Sequence, residues 1–210
     1  MKLLFLSGIG CIEEIWNPVK SYIKDYDCTF ITYPRTVTKQ ANSINDLADW
    51  LFNIVKDQSY DVIIGHSAGG LIALQLLNDY SYTTSKLVLV ESNLKPAKAF
   101  YRNLVLNDTT SEYKYIIKML RSEMPYYTEA FQSSIQNDFD YTYLLDKLHI
   151  PVYVLYGDRG NPNYKNRFSD LCLDDNILNQ LNIRFVANSC HMPMIESPEE
   201  FSKILIESIK

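Results

Sequence analysis

Apolar runs of strand length recur along the chain, and polar or helically spaced segments separate them. Lys2–Leu6 is the first run and Cys28–Tyr33 the second. Asp61–Ile64, Lys86–Val90, Pro151–Tyr156 and Ile183–Val186 complete six predicted strands. Between them the period changes. Ile44, Leu47, Ala48, Leu51 and Val55 fall on one face of a helix capped by Ser43. A short helix is predicted from Pro18, with Asn17 as its cap. The segment after Ser67 is apolar nearly all round, as a central helix is. The last helix opens on Ser197-Pro198-Glu199-Glu200, a capping-box pattern with proline at the first position, and buries Phe201, Ile204, Leu205 and Ile209. Strands alternating with helices predict an α/β fold with a mostly parallel six-stranded sheet flanked by helices.

One stretch breaks the alternation. Residues 93–148 hold no strand pattern, only helical ones over Ser111–Met124 and Pro125–Gln136. A crossover between neighbouring strands needs roughly a dozen residues, so this stretch reads as an insertion. The chain is expected to form one domain, 1–210, with a core of 1–92 and 149–210 and a helical cap at 93–148. The cap is rich in aromatics between Phe100 and Tyr143. These either wall an apolar pocket or seat the cap on the core.

Composition narrows the partners. A net charge of −5, with no block of lysine or arginine, argues against nucleic acid and anionic membrane. No apolar run is long enough to span a bilayer, and the one at Met1–Leu6 is too short for a secretory leader. Cys11, Cys28, Cys172 and Cys190 show neither a C-x-x-C pair nor zinc spacing, so free thiols in a reducing cytoplasm are expected. No metal-ligand cluster or phosphate loop is visible, and no cofactor is expected.

The chemistry concentrates at Gly65-His66-Ser67-Ala68-Gly69, a G-x-S-x-G string between a strand and a helix. A serine at that sharp turn exposes its hydroxyl at the top of the sheet. The glycines let strand and helix approach, and Ala68 leaves its N–H free to meet a developing oxyanion. A serine hydroxyl needs a base, and the chain has three histidines. His66 adjoins the serine with its side chain directed away. His149 precedes a strand, at the end opposite the site. His191 follows the sixth strand, at the carboxyl edge where open α/β sheets bind ligands, and is the candidate base.

With these residues in place, the chain resembles the α/β-hydrolase superfamily over nearly its whole length. Gly65–Gly69 matches the nucleophile elbow, and His191 falls on the base. Ser7-Gly8-Ile9-Gly10 resembles the oxyanion loop, with serine where members commonly carry histidine. The resemblance implies an oxyanion hole of the Ile9 and Ala68 N–H groups, a sheet lacking the superfamily's first two strands, and a helical cap. Members often carry G-x-x-D after the strand preceding the base. Here that place reads Gly157-Asp158-Arg159-Gly160, with glycine where the acid is expected. Two carboxylates compete for the role: Asp158, and Glu91 at the end of the fourth strand, a position some lipases of this fold use. Glu91 has the advantage of needing no loop rearrangement. The expected activity is a serine hydrolase acting on a small ester or thioester through an acyl-enzyme on Ser67. A thioesterase or acyltransferase, a C–C bond hydrolase, and a ligand-binding protein without turnover are the alternatives.

Overall fold

Six parallel strands make a single sheet in the computed structural model, which describes residues 1–136 and 138–210. They are β1 (Lys2–Leu6), β2 (Asp27–Ile31), β3 (Val62–His66), β4 (Lys86–Val90), β5 (Val152–Gly157) and β6 (Leu181–Val186), in the order β2-β1-β3-β4-β5-β6. The chain adds β2 on one side of β1, crosses back to β3 on the other, and then builds outward one strand at a time. That reversal is a topological switch point, beyond whose carboxyl strand ends open α/β sheets bind ligands. Leu6 pairs with Gly65 and His66 with Val90, so the loops leaving β1, β3 and β4 start level with one another.

Both faces of the sheet are covered, which is why its strands read as apolar runs rather than as alternation. Leu4 and Leu6 of β1 face the layer of α2 (Ile44–Val55) and α3 (Ala68–Asp79), whereas Leu3 and Phe5 face the other. That second layer contains a 3-10 segment, Glu13–Val19, with Trp16 fully buried, and α8 (Pro198–Ile209). The start of α2 is fixed by a reciprocal cap. The Ser43 Oγ accepts from the Asp46 N–H at 3.4 Å, and the Asp46 carboxylate accepts from the Ser43 N–H at 3.0 Å.

Local structure departs from the sequence pattern at three places. The helix predicted from Pro18 is instead the 3-10 segment starting at Glu13 with Pro18 inside it, drawn tight by burial of Ile15, Trp16 and Val19. Ser197 makes no side-chain cap for α8: its ψ of 60° departs from the extended backbone a cap takes, and its N–H closes α7 (Pro193–Glu196) by donating to the Pro193 carbonyl. The helix predicted over Pro125–Gln136 is split. Pro125 sits in a 3-10 turn, Met124–Tyr126, and Thr128 caps a separate α5 (Glu129–Ser134). Short α1 (Arg35–Thr38) and α6 (Asp175–Leu178) have too few turns to leave a periodic signal.

Between β4 and β5 the described residues contain α4 (Ser111–Glu123), α5 and 3-10 turns, and no strand. Tyr101, Tyr127 and Phe131 pack into the layer of α2 and α3, while Ile116 and Met119 of α4 join the opposite layer. The carboxyl end of α4 lies over the loop after β1: a β-carbon added at Gly10 would sit 2.8 Å from Met124 Sδ and 2.9 Å from Leu120 Cδ2. Arg35 ties that end to the core. Its Nη2 donates to Glu123 Oε1 at 2.6 Å, and its guanidinium lies 4.2 Å over the Tyr126 ring.

Candidate active site

Ser67 sits at the join of β3 and α3 with φ 52° and ψ −124°, a conformation that costs a non-glycine residue about 1–3 kcal/mol. The surroundings enforce it. Its N–H donates to the Val90 carbonyl at 2.8 Å, and its carbonyl accepts from the Gly70 N–H at 3.0 Å and from the Ser92 Oγ at 2.7 Å. A β-carbon at Gly65 would lie 2.5 Å from the backbone of Gly70, and one at Gly69 2.6 Å from the Leu6 carbonyl. Those are backbone clashes that no rotamer relieves, so the turn accepts only glycine at both places.

The loop after β1 abuts the serine: a β-carbon at Gly8 would lie 2.9 Å from Ser67 Cβ. Among the described residues, neither the Ile9 nor the Ala68 N–H donates to a protein acceptor. The Ala68 N–H adjoins the strained serine, and the Ile9 N–H follows the Gly8 that abuts it.

His191 lies on the loop between β6 and α7, half-buried, with Nδ1 3.5 Å from Glu91 Oε2. Its carbonyl accepts from His66 Nε2 at 2.9 Å. The two rings are 5.0 Å apart. Burial, aided by the nearby His191, pushes the His66 pKa down to about 3, so this ring is neutral and structural. Its Nε2–H tethers the His191 loop. His149 is exposed near the amino-terminal end of β5, far along the strand from this edge.

Of the two competing carboxylates, Glu91 is the one at His191. It follows β4 with φ 53° and is 1 % exposed. Asp158 faces elsewhere: its Oδ1 accepts from the Gly160 and Asn188 N–H groups, both at 2.8 Å, and braces the loops after β5 and β6. Glu91 also meets a residue that the motif pattern does not single out. Arg159 forks onto it, Nη1 to Oε1 at 2.7 Å and Nη2 to Oε2 at 2.6 Å, with both side chains almost fully buried. The Gly157 N–H adds a third donor, on Oε1. Burial alone would raise the Glu91 pKa. The hydrogen bond from His191 and the charge and hydrogen bonds of Arg159 outweigh it and hold the carboxyl below its ordinary range.

No family profile and no curated protein matches this chain in sequence. Solved structures do. An esterase from Exiguobacterium antarcticum superposes with a TM-score of 0.74 at 14% identity, covering 100% of this chain and 91% of that one. A bromoperoxidase from Bacillus anthracis gives 0.76 at 13% identity, over 99% and 91% of the two chains. A thermophilic esterase from Thermogutta terrifontis gives 0.70 at 17% identity, over 99% and 88%. The chain has the α/β-hydrolase fold.

Within this α/β-hydrolase fold the strain is unevenly distributed. Ser67, Glu91, Arg159 and Asn188, all non-glycine residues with φ between 52° and 55°, stand on the loops leaving β3, β4, β5 and β6 in turn. Backbone outliers of this kind gather where surrounding structure holds side chains to a task. Cys11 and Cys190 lie close by, but burial pushes both thiols up to about 12, so they act as small apolar fillers. Among the described residues no group of three or more His, Cys, Asp or Glu is arranged to hold a metal ion. None of the described helices is long and apolar enough to cross a membrane. Of the aromatics between β4 and β5, Tyr143 and Tyr115 face solvent, at 53% and 38% exposure, and Tyr115 lines a surface cavity with Glu14, Pro18 and Ile195. Arg159 and Ser92 are the residues that sequence reasoning missed. The first had one available signal, since a carboxylate predicted at a strand end inside the fold demands a counter-charge.

Proposed function

We propose that the protein is a serine hydrolase of small carboxylic esters or thioesters, with residues 93–148 as a helical cap over the site. The observation that carries this reading is the strained Ser67 beside two unengaged backbone donors, at the sheet edge where His191 Nδ1 lies 3.5 Å from Glu91 Oε2. Two of the similar structures named above are esterases and one is a bromoperoxidase, so fold alone does not choose the chemistry. The residues do.

In the reaction Ser67 Oγ attacks the carbonyl carbon while its proton passes to His191 Nε2, the ring nitrogen facing away from Glu91. The Ile9 and Ala68 N–H groups receive the oxyanion. Collapse expels the alkoxide or thiolate, which takes the proton from His191. Water then attacks the acyl carbon as one of its protons passes to His191, and collapse returns that proton to Ser67 Oγ as the acid leaves. Glu91 keeps Nδ1 protonated, which leaves Nε2 free to accept.

A ligand-binding protein without turnover is the second reading, and one observation favours it: 3.5 Å from Nδ1 to Oε2 is long for a hydrogen bond. Catalytic hydrogen bonds are commonly long before substrate arrives and tighten in the complex. A panel of p-nitrophenyl esters of increasing chain length, run beside acyl thioesters, tests the proposal. Hydrolysis of short-chain members supports it, and inactivity of the folded protein across the panel overturns it in favour of the binder.

A further inference from the structure

Glu91 does not meet His191 as a bare carboxylate. Oε2 is shared between Arg159 Nη2 at 2.6 Å and His191 Nδ1 at 3.5 Å, so the nearer partner is the arginine. Oε1 is occupied by Arg159 Nη1 at 2.7 Å and by the Gly157 N–H. Arg159 is itself fixed, with Nη1 donating to the Gly157 carbonyl at 2.7 Å, Nη2 to the Tyr101 carbonyl at 3.3 Å, and the guanidinium 4.8 Å over the Tyr101 ring. A planar fork held on both sides allows the carboxylate one orientation.

We propose, on the reading that Ser67 and His191 are nucleophile and base, that Arg159 is a positioning residue for that pair: its guanidinium locks Glu91 against His191 and takes up much of the carboxylate's charge. Glu91 then orients the imidazole and fixes its tautomer. Without the arginine's charge the same carboxylate would act on the ring unpaired.

The argument from charge is direct. A carboxylate after β4, 1 % exposed, costs several kcal/mol unless it is paired. The loop after β5 has no acid at Gly160 and carries Arg159 one residue earlier. Relative to the G-x-x-D pattern, that loop lacks its final acid and offers an arginine, and the acid at His191 stands one strand away. The arginine is what makes the displaced acid tolerable, and its charge reaches the histidine through the shared oxygen.

Other ionisable groups around the pair come from several elements. Tyr101 and Tyr156 have phenols that burial pushes up, and burial holds the Cys190 thiol at about 12. His66 is neutral, with a value of about 3. Asp158 is bound into its turn. Glu196, whose carboxyl burial raises, accepts from the Leu106 and Cys190 N–H groups, both at 2.7 Å. Glu196→Gln therefore serves as a control for its titration.

The test reads the His191 ring directly by NMR, following its Cε1–Hε1 signal with pH and assigning it by His191→Asn. In Arg159→Gln, which keeps a hydrogen bond to Glu91 but no charge, the midpoint should rise by about one pH unit or more, the shift expected when a charge at this range is lost. Arg159→Lys keeps the charge without the fork and should rise by less, giving the order wild type, lysine, glutamine. Adding Glu91→Gln to Arg159→Gln should abolish the rise. The acid limb of kcat/KM for p-nitrophenyl acetate should move the same way, with about a tenfold loss of low-pH activity for each unit. A purely structural role would lower activity without moving the midpoint. Wild-type midpoints in Arg159→Lys and in whichever neutral variant folds overturn the proposal. A shifted ring in a protein that hydrolyses no ester overturns the hydrolase reading alone.

Discussion

The turn that carries Ser67 is built from neighbours in sequence, while His191 is held by residues that meet only in the folded sheet. Gly65, Gly69 and Gly70 clear the space, and the chain between them has nowhere else to go. Beneath His191, Glu91 arrives from β4 and Arg159 from β5. The first construction works by steric exclusion and stores a modest backbone strain. The second works by charge in a dry place, where each ion is costly alone and tolerable only in company. The turn at Ser67 is thus specified by space within six residues. The orientation of His191 depends on complementary charges on separate loops, so a change in one loop has to be answered in another.

The largest expected effect lies on the steric side. Ser67→Ala should reduce p-nitrophenyl ester turnover to background, a loss on the order of 10⁶-fold in the subtilisin precedent, with an unchanged circular dichroism spectrum. Substantial turnover in the folded variant breaks the elbow half of the comparison. Glu91→Gln comes next, with turnover falling by up to ~10⁴-fold in the serine-protease precedent, because the amide favours the wrong tautomer. It also leaves Arg159 buried and unpaired, which should cost about 3–5 kcal/mol in denaturant melts. Asp158→Asn, which disturbs a turn brace and not the ring, should leave kcat near wild type. Equal losses from both amides would mean that the carboxylates share the role.

The same contrast explains how much of the molecule the sequence revealed. β1 was legible at its observed bounds, and α2 with its Ser43 cap likewise, because both faces of the sheet and one face of the helix are apolar at the right period. The all-parallel six-stranded order follows from that alternation. The turn at Ser67 was legible because its determinants are consecutive. β4 was legible at its bounds too, Lys86–Val90, and the ends of the remaining strands were less so: β3 runs on through Gly65 and His66, where pairing with β4 continues although the apolar run has stopped. Ser197 looked like a cap in sequence, but the chain turns there out of one helix into the next, with ψ at 60° rather than extended. The choice between Glu91 and Asp158 stayed open because both end a strand at the same edge. It turns on where Arg159 reaches, and no local pattern carries that.

Smaller effects sharpen the two mechanisms. Gly69→Ala drives a β-carbon to 2.6 Å from the Leu6 carbonyl, and overpacking of that kind costs about 1–3 kcal/mol. The melting temperature should fall by ~2–4 °C per kcal/mol for a chain of this size. An unchanged melting temperature would show that the elbow has slack. The charged side has a pH signature through His66. Its pKa is lowered in the fold from 6.5 to about 3, so below pH 6.5 the unfolded chain binds a proton that the native protein refuses. Stability is therefore fully present above pH 6.5 and declines as pH falls towards 3, with a limiting slope of about 1.4 kcal/mol per pH unit. Between pH 6.5 and 5, before most carboxylates titrate, His66→Gln should flatten that decline. Urea melts at stepped pH values check it, and an unaltered slope would assign the acid sensitivity to other groups.

The account rests on Ser67 being an activated nucleophile, and a fluorophosphonate probe followed by peptide mass spectrometry tests that most directly. The account predicts a single phosphonyl adduct on Ser67 in the wild-type protein, none in Ser67→Ala, and much slower labelling in His191→Asn. Folded wild-type protein that takes up no probe, or takes it up on another residue, would contradict it.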